Sequence, residues 1–154
     1  MPARALPIVA LILAAGLTGC AHEKVAANGY RWAYLAETGE APRLAYGRPD
    51  SDDVVLMMRC RPGASEIDLS AVGLSGGELV LASGRSESRF AAAKIDDAMS
   101  EGLMEARGSA SAPALQAFRK SGDLTVLAKG QRHSLAADSE DRAHVRAFFK
   151  ACGA

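Results

Sequence analysis

Between Tyr30 and Gly108 the sequence is cut into short stretches, each alternating or nearly continuous in apolar residues and each ended by Gly, Pro, Ser or Asp. The alternation fits strands, so this part of the chain is read as a series of short strands. In "YRWAYLAE" Tyr30, Trp32 and Tyr34 share one face, and Arg31, Ala33 and Leu35 the other. "RLAYG" follows, then "DVVLMMRC" from Asp53 to Cys60, whose unbroken apolar run predicts a central strand buried on both faces, with Met57 and Met58 as core filler. "SEIDLSAVG" alternates through Ile67, Leu69 and Ala71 until Val72 breaks the pattern. "GLSGG" reads as a hairpin loop, "ELVLASG" as a strand, "RSES" as a polar turn, and "RFAAAKI" and "EGLMEARG" as two more strands.

The periodicity then changes. "SAPALQAFRKSG" places Pro113 in the first turn of a two-turn helix and Gly122 at its stop. "DLTVLAKG" and "RHSLAAD" read as a hairpin. In "DSEDRAHVRAFFKAC" Val145, Phe148, Phe149 and Cys152 recur on one helical face, and Asp138 or Ser139 is placed to cap the helix. The expected class is α+β: an antiparallel sheet or sandwich-like body with two helices in the C-terminal third.

Upstream, "LPIVALILAAGLTG" follows a short basic start and is too short to span a bilayer as a helix. It ends in Leu17-Thr18-Gly19-Cys20, which resembles the lipobox of bacterial lipoproteins. That resemblance implies cleavage before Cys20, acylation of its sulfur and its new amino group, and an anchor of two or more chains, which holds where one chain does not. Ala21 in place of Asp favours the periplasmic face of the outer membrane. The expected organisation is a signal peptide over 1–19, a lipidated tether over 20–29 and one globular domain over 30–154. The tether reaches at most about 30 Å, so the body stays near the membrane.

Loss of the signal removes Arg4 alone among charged residues, from a chain with 18 basic and 18 acidic side chains. A near-neutral body supplies no field to attract nucleic acid. An oxidising compartment makes Cys60 and Cys152 a candidate disulfide closing a long loop. "LAYGRPDSDDVVLMMRC" and "FFKAC" also resemble patches in small proteobacterial envelope proteins of unknown function, and that likeness implies the same pairing.

Chemistry is sparse. Gly73-Leu74-Ser75-Gly76-Gly77 matches the G-x-S-x-G elbow, with His133 and His144 downstream, but a strand follows where that motif needs a helix. Asp50, Asp52 and Asp53 in "PDSDD" lack the ligand spacing of a calcium loop and read as a polar turn. No metal or cofactor site is expected. The row Tyr30, Trp32, Tyr34 is either core or a binding platform. Arg142, Arg146 and Lys150 form a basic row on the last helix, either solvated surface or a contact for an acidic partner. The expected function is a membrane-anchored, non-catalytic protein-binding module of the envelope. The alternatives are an assembly factor of an envelope complex and, more remotely, a small serine hydrolase using Ser75.

Overall fold

The computed structural model describes residues 29–95 and 102–154. Nine strands and two helices follow one another: β1 (Arg31–Leu35), β2 (Arg43–Gly47), β3 (Val54–Cys60), β4 (Glu66–Val72), β5 (Glu78–Ser83), β6 (Ser86–Ile95), β7 (Leu103–Ser109), α1 (Pro113–Ser121), β8 (Thr125–Ala128), β9 (Gln131–Ser134) and α2 (Asp141–Ala151). The strands make one antiparallel sheet in the order β1-β2-β3-β4-β7-β6-β5-β8-β9. The fold is α+β, as the pattern predicts, with both helices in the C-terminal part. Among the described residues no helix is long and apolar enough to cross a membrane.

The sheet is curled, and β6 sets the curl. Its first part, through Ala91, pairs with β5, and its second part, Ala92 to Ile95, pairs with β7. At the changeover the Phe90 ring lies against Gly108 of β7, where any Cβ would overlap it. A side chain at residue 108 would therefore push the two halves of the sheet apart. The curl brings the first and last strands together: the Trp32 indole N–H of β1 donates to the Leu135 carbonyl just after β9, at 2.8 Å.

Both helices cover the concave side. Trp32, Tyr46, Phe118, Phe148 and Phe149 are the largest side chains buried there, with Leu44, Leu56, Met58, Ile67 and Leu69 around them. Gly122 ends α1 in the left-handed conformation (φ 75°), as its placement predicts. No neighbouring side chain of its own caps the start of α1; the buried Ser88 hydroxyl of β6 accepts the Ala114 N–H instead. The stretch read as a polar turn, Arg85–Ser88, is therefore strand from Ser86 onward, and the turn is Gly84-Arg85.

Two other readings are corrected. "GLSGG" is not a hairpin loop: β4 and β5 are separated by β7 and β6, and residues 73–77 carry the chain across. In β3 only Leu56, Met58 and Cys60 are fully buried, and Val55 and Met57 are half-buried, because among the described residues no second layer covers the convex face. That convex face is polar where β3, β4 and β7 meet, with Arg59 on Asp68 and Arg107 on Asp68 and Glu66.

Cys60 at the end of β3 and Cys152 just after α2 form a disulfide, with Cα atoms 5.8 Å apart and a sequence separation of 92. The bond ties the end of α2 to the strand beneath it. Replacing both cysteines by Ala is expected to lower stability by about 2–4 kcal/mol, read from urea unfolding. Gly108→Val is expected to cost ~1–3 kcal/mol by the same measurement, through the Phe90 clash.

Candidate functional site

The curl leaves a cavity of about 630 Å³ between the two ends of the sheet. One wall is β2, β3 and β4, through Tyr46, Val55, Ala71 and Val72, with Leu74 just beyond. The other is the β8–β9 hairpin, through Val126, Ala128 and Leu135. Lys129, Arg132 and His133 bring positive charge and hydrogen-bond donors to it, and among the described residues no acidic side chain lines it. Its volume falls within the range of small-molecule sites, roughly 300–1,000 Å³. Val72, which breaks the alternation in sequence, stays in strand register opposite Leu103 and is 47% exposed beside this cavity.

Tyr30 closes one side. Its ring stacks on Tyr46 with centroids 5.9 Å apart, and Arg48 lies over its other face, 5.4 Å from the centroid. Its hydroxyl donates to the Asp53 carboxylate, which raises the phenol above its ordinary pKa. Arg48 pairs with the same carboxylate at 3.6 Å. Asp53, weighed in the sequence as part of an acidic cluster, thus belongs to a polar turn with Tyr30, Arg48 and Ser51. Among the described residues no three His, Cys, Asp or Glu side chains are grouped to hold a metal ion.

The hairpin turn is Lys129-Gly130, with φ of 50° and 73°. Positive φ at both positions is the two-residue geometry that matches strand twist, and it favours Asn, Asp or Gly. Lys129 holds that conformation without the side-chain bonding that eases it for Asn. A more open groove of about 840 Å³ lies along β1, β2 and the turn at Arg48–Asp52. It mixes Arg31 and Arg48 with Asp50 and Asp52, so its charge selects no one kind of ligand.

The residues singled out in sequence are dispersed. Trp32 is fully buried, and its ring packs on Tyr46 and Phe118 with centroids 5.2 and 4.9 Å away. A platform needs an open face, so the binding alternative is corrected for Trp32, which is core. Tyr34 is partly buried against that core and does not line the cavity; Tyr30 alone of the three does. Arg142, Arg146 and Lys150 are exposed on the outer side of α2, away from the cavity. Ser75 is exposed on the loop from β4 to β5, which leads into a strand and forms no strand-to-helix elbow. Cys20 lies outside the described residues.

Asp141 and His144 carry roles that spacing does not reveal. β1 is an edge strand, and an edge strand exposes N–H and C=O groups that invite pairing. Here the Asp141 carboxylate, 2% exposed, accepts the Trp32 backbone N–H at 2.8 Å and meets Arg31 Nε at 3.4 Å. His144 Nδ1 is 2.9 Å from the Trp32 carbonyl, which can only accept, so that nitrogen carries the proton. Asp138 caps α2 as its position predicts: its Oδ1 accepts the N–H groups of Glu140 and Asp141, both at 2.8 Å. The Asp141 amide first, and then that of Glu140, holds the Asp138 carboxyl below the usual carboxylate range, against a smaller opposing push from burial.

Compared with family models, curated proteins and solved structures, the chain matches none.

Removing the Asp141 carboxylate leaves the buried Trp32 N–H without its acceptor, while Arg31 keeps Glu140 at 3.0 Å. Asp141→Ala is expected to destabilise the fold by about 3 kcal/mol in denaturant titration. Asp138 has a pH signature. A carboxyl with a lowered folded pKa stabilises the fold above its unfolded value, near 3.9, and loses that contribution as pH falls through the folded one. The melting-temperature difference between wild type and Asp138→Asn should therefore be largest at neutral pH and vanish on acidification.

Proposed function

We propose that this protein is a bacterial lipoprotein, held through Cys20 at the periplasmic face of the outer membrane, whose body is a non-catalytic protein-binding module of the envelope. The observation that carries the binding reading is the outer face of α2. Arg142, Arg146 and Lys150 stand one turn apart, exposed, and none has a carboxylate partner among the described residues. The helix that presents them is fixed at both ends, by Asp141 on β1 and by Cys152 on β3. A fixed row of unpaired cations suits an acidic protein surface, because neither side reorganises on contact. The anchor reading rests on Leu17-Thr18-Gly19-Cys20 and on the short stretch that separates Cys20 from β1.

In-cell crosslinking of the tagged, full-length chain tests this. An envelope protein should be captured reproducibly, and Arg142→Glu with Arg146→Glu should lower its yield at least tenfold while the protein stays folded. The intact mass should correspond to a chain beginning at Cys20 plus its acyl groups. Capture of nothing above an untagged control, or capture indifferent to charge reversal, would refute the binding reading. An unacylated chain still beginning near Met1 would refute the anchor.

A further inference from the structure

The cavity at the seam of the sheet is unused by the reading above, and its chemistry is divided. Val55, Val72, Leu74 and Ala128, all at least partly exposed, give the cavity its apolar surface, and Lys129 and Arg132 make its rim cationic. Among the described residues neither cation forms an ion pair, and no acidic side chain lines the cavity to neutralise them.

We infer that this cavity binds an amphiphile with one anionic head and one apolar chain, the head held at Lys129 and Arg132 and the chain lying against Val55, Val72, Leu74 and Ala128. A neutral apolar ligand would leave the cations unmatched. A bare anion would leave the apolar walls wet. Only a molecule with both parts matches the division of the site, and a carboxylate or phosphate head suits the guanidinium of Arg132.

Lys129 is the most telling residue. It occupies a left-handed turn position where Asn would be easier to accommodate. A local rule broken at the rim of a cavity, with a charge gained there, is the pattern of a functional position. It also separates binding from folding: Lys129→Asn should leave the melting temperature unchanged or raise it, while removing half of the head-group charge.

The test is calorimetric titration of the full chain carrying Cys20→Ser, prepared with its disulfide formed. The probes are dodecyl phosphate, dodecanoate, dodecanol and inorganic phosphate, the alkyl chains kept below their micellar concentrations. Dodecyl phosphate and dodecanoate should bind one to one, dodecanol at least tenfold more weakly, and inorganic phosphate not measurably. The order of the first two separates a phospholipid-type head from a fatty-acid head. Lys129→Asn with Arg132→Gln should weaken both anionic amphiphiles at least tenfold and leave dodecanol unchanged. Val72→Ser with Leu74→Ser, which strips apolar surface from the wall at exposed and half-exposed positions, should weaken every chain-bearing probe. Equal binding of dodecanol and dodecyl phosphate would overturn the head site. Inorganic phosphate binding as tightly as its alkyl ester would reduce the site to an anion patch. Absence of binding by both anionic amphiphiles, with the protein folded, would overturn the inference whole. None of these outcomes bears on the α2 face, so the two proposals fail separately.

Discussion

One side chain holds the architecture closed. Trp32 donates its indole N–H across the seam to Leu135, gives its backbone N–H to Asp141, receives a hydrogen bond on its carbonyl from His144, and places its ring between Tyr46 and Phe118. A nine-stranded open sheet has two edges, and both are hazards for pairing. Here the first edge is blocked by α2, and the two edges are drawn toward each other through the indole. Every one of the residue's polar groups described here is satisfied inside a dry core, where an unmet one would be costly. The cavity exists because this closure is incomplete: beyond Trp32 the hairpin and the β2–β4 wall stand apart.

The second helix turns that closure into a rigid body. Its first residue, Asp141, grips β1, and Cys152 beyond its last turn is bonded to the end of β3. Between them Val145, Phe148 and Phe149 fill the concave side. The chain continues to hold at that end, where the Gly63 N–H donates to the Ala151 carbonyl at 3.1 Å. A helix gripped at both ends keeps its outer basic row in fixed register. The same brace fixes the strands that form one wall of the cavity, so the two surfaces to which binding is assigned share one mechanical support.

Much of this was legible in the chain. Alternation placed the strands, Pro113 and Gly122 bounded α1, Asp138 capped α2, and the spacing of Val145, Phe148, Phe149 and Cys152 marked its buried stripe. What was not legible depends on strand order. Adjacent strands in sequence suggested a hairpin at Gly73–Gly77, but β7 and β6 insert between β4 and β5, and only tertiary pairing reveals it. The continuous run in β3 implied two covered faces, because hydrophobicity does not report that a curled sheet leaves its convex side open. The aromatic row did not say which way it faced. Asp141 and His144 looked like surface residues of a helix start, since their partner is a backbone more than 100 positions away. Lys129 and Arg132 lay within the two segments read as a hairpin, and nothing marked them until the curl set apolar walls beside them. Positive φ at Lys129 was the one local signal, and a sequence alone does not display it.

The central claim is that Trp32, on an edge strand, is locked by α2 and the seam. Native-state hydrogen exchange at its backbone amide and its indole N–H tests this most directly. If the account is right, both protons exchange only through global unfolding, among the slowest in the chain, although edge-strand amides ordinarily exchange early. Exchange of the Trp32 amide as fast as that of a solvent-facing edge residue would mean that α2 does not close the edge, and the braced, curled sheet would have to be given up.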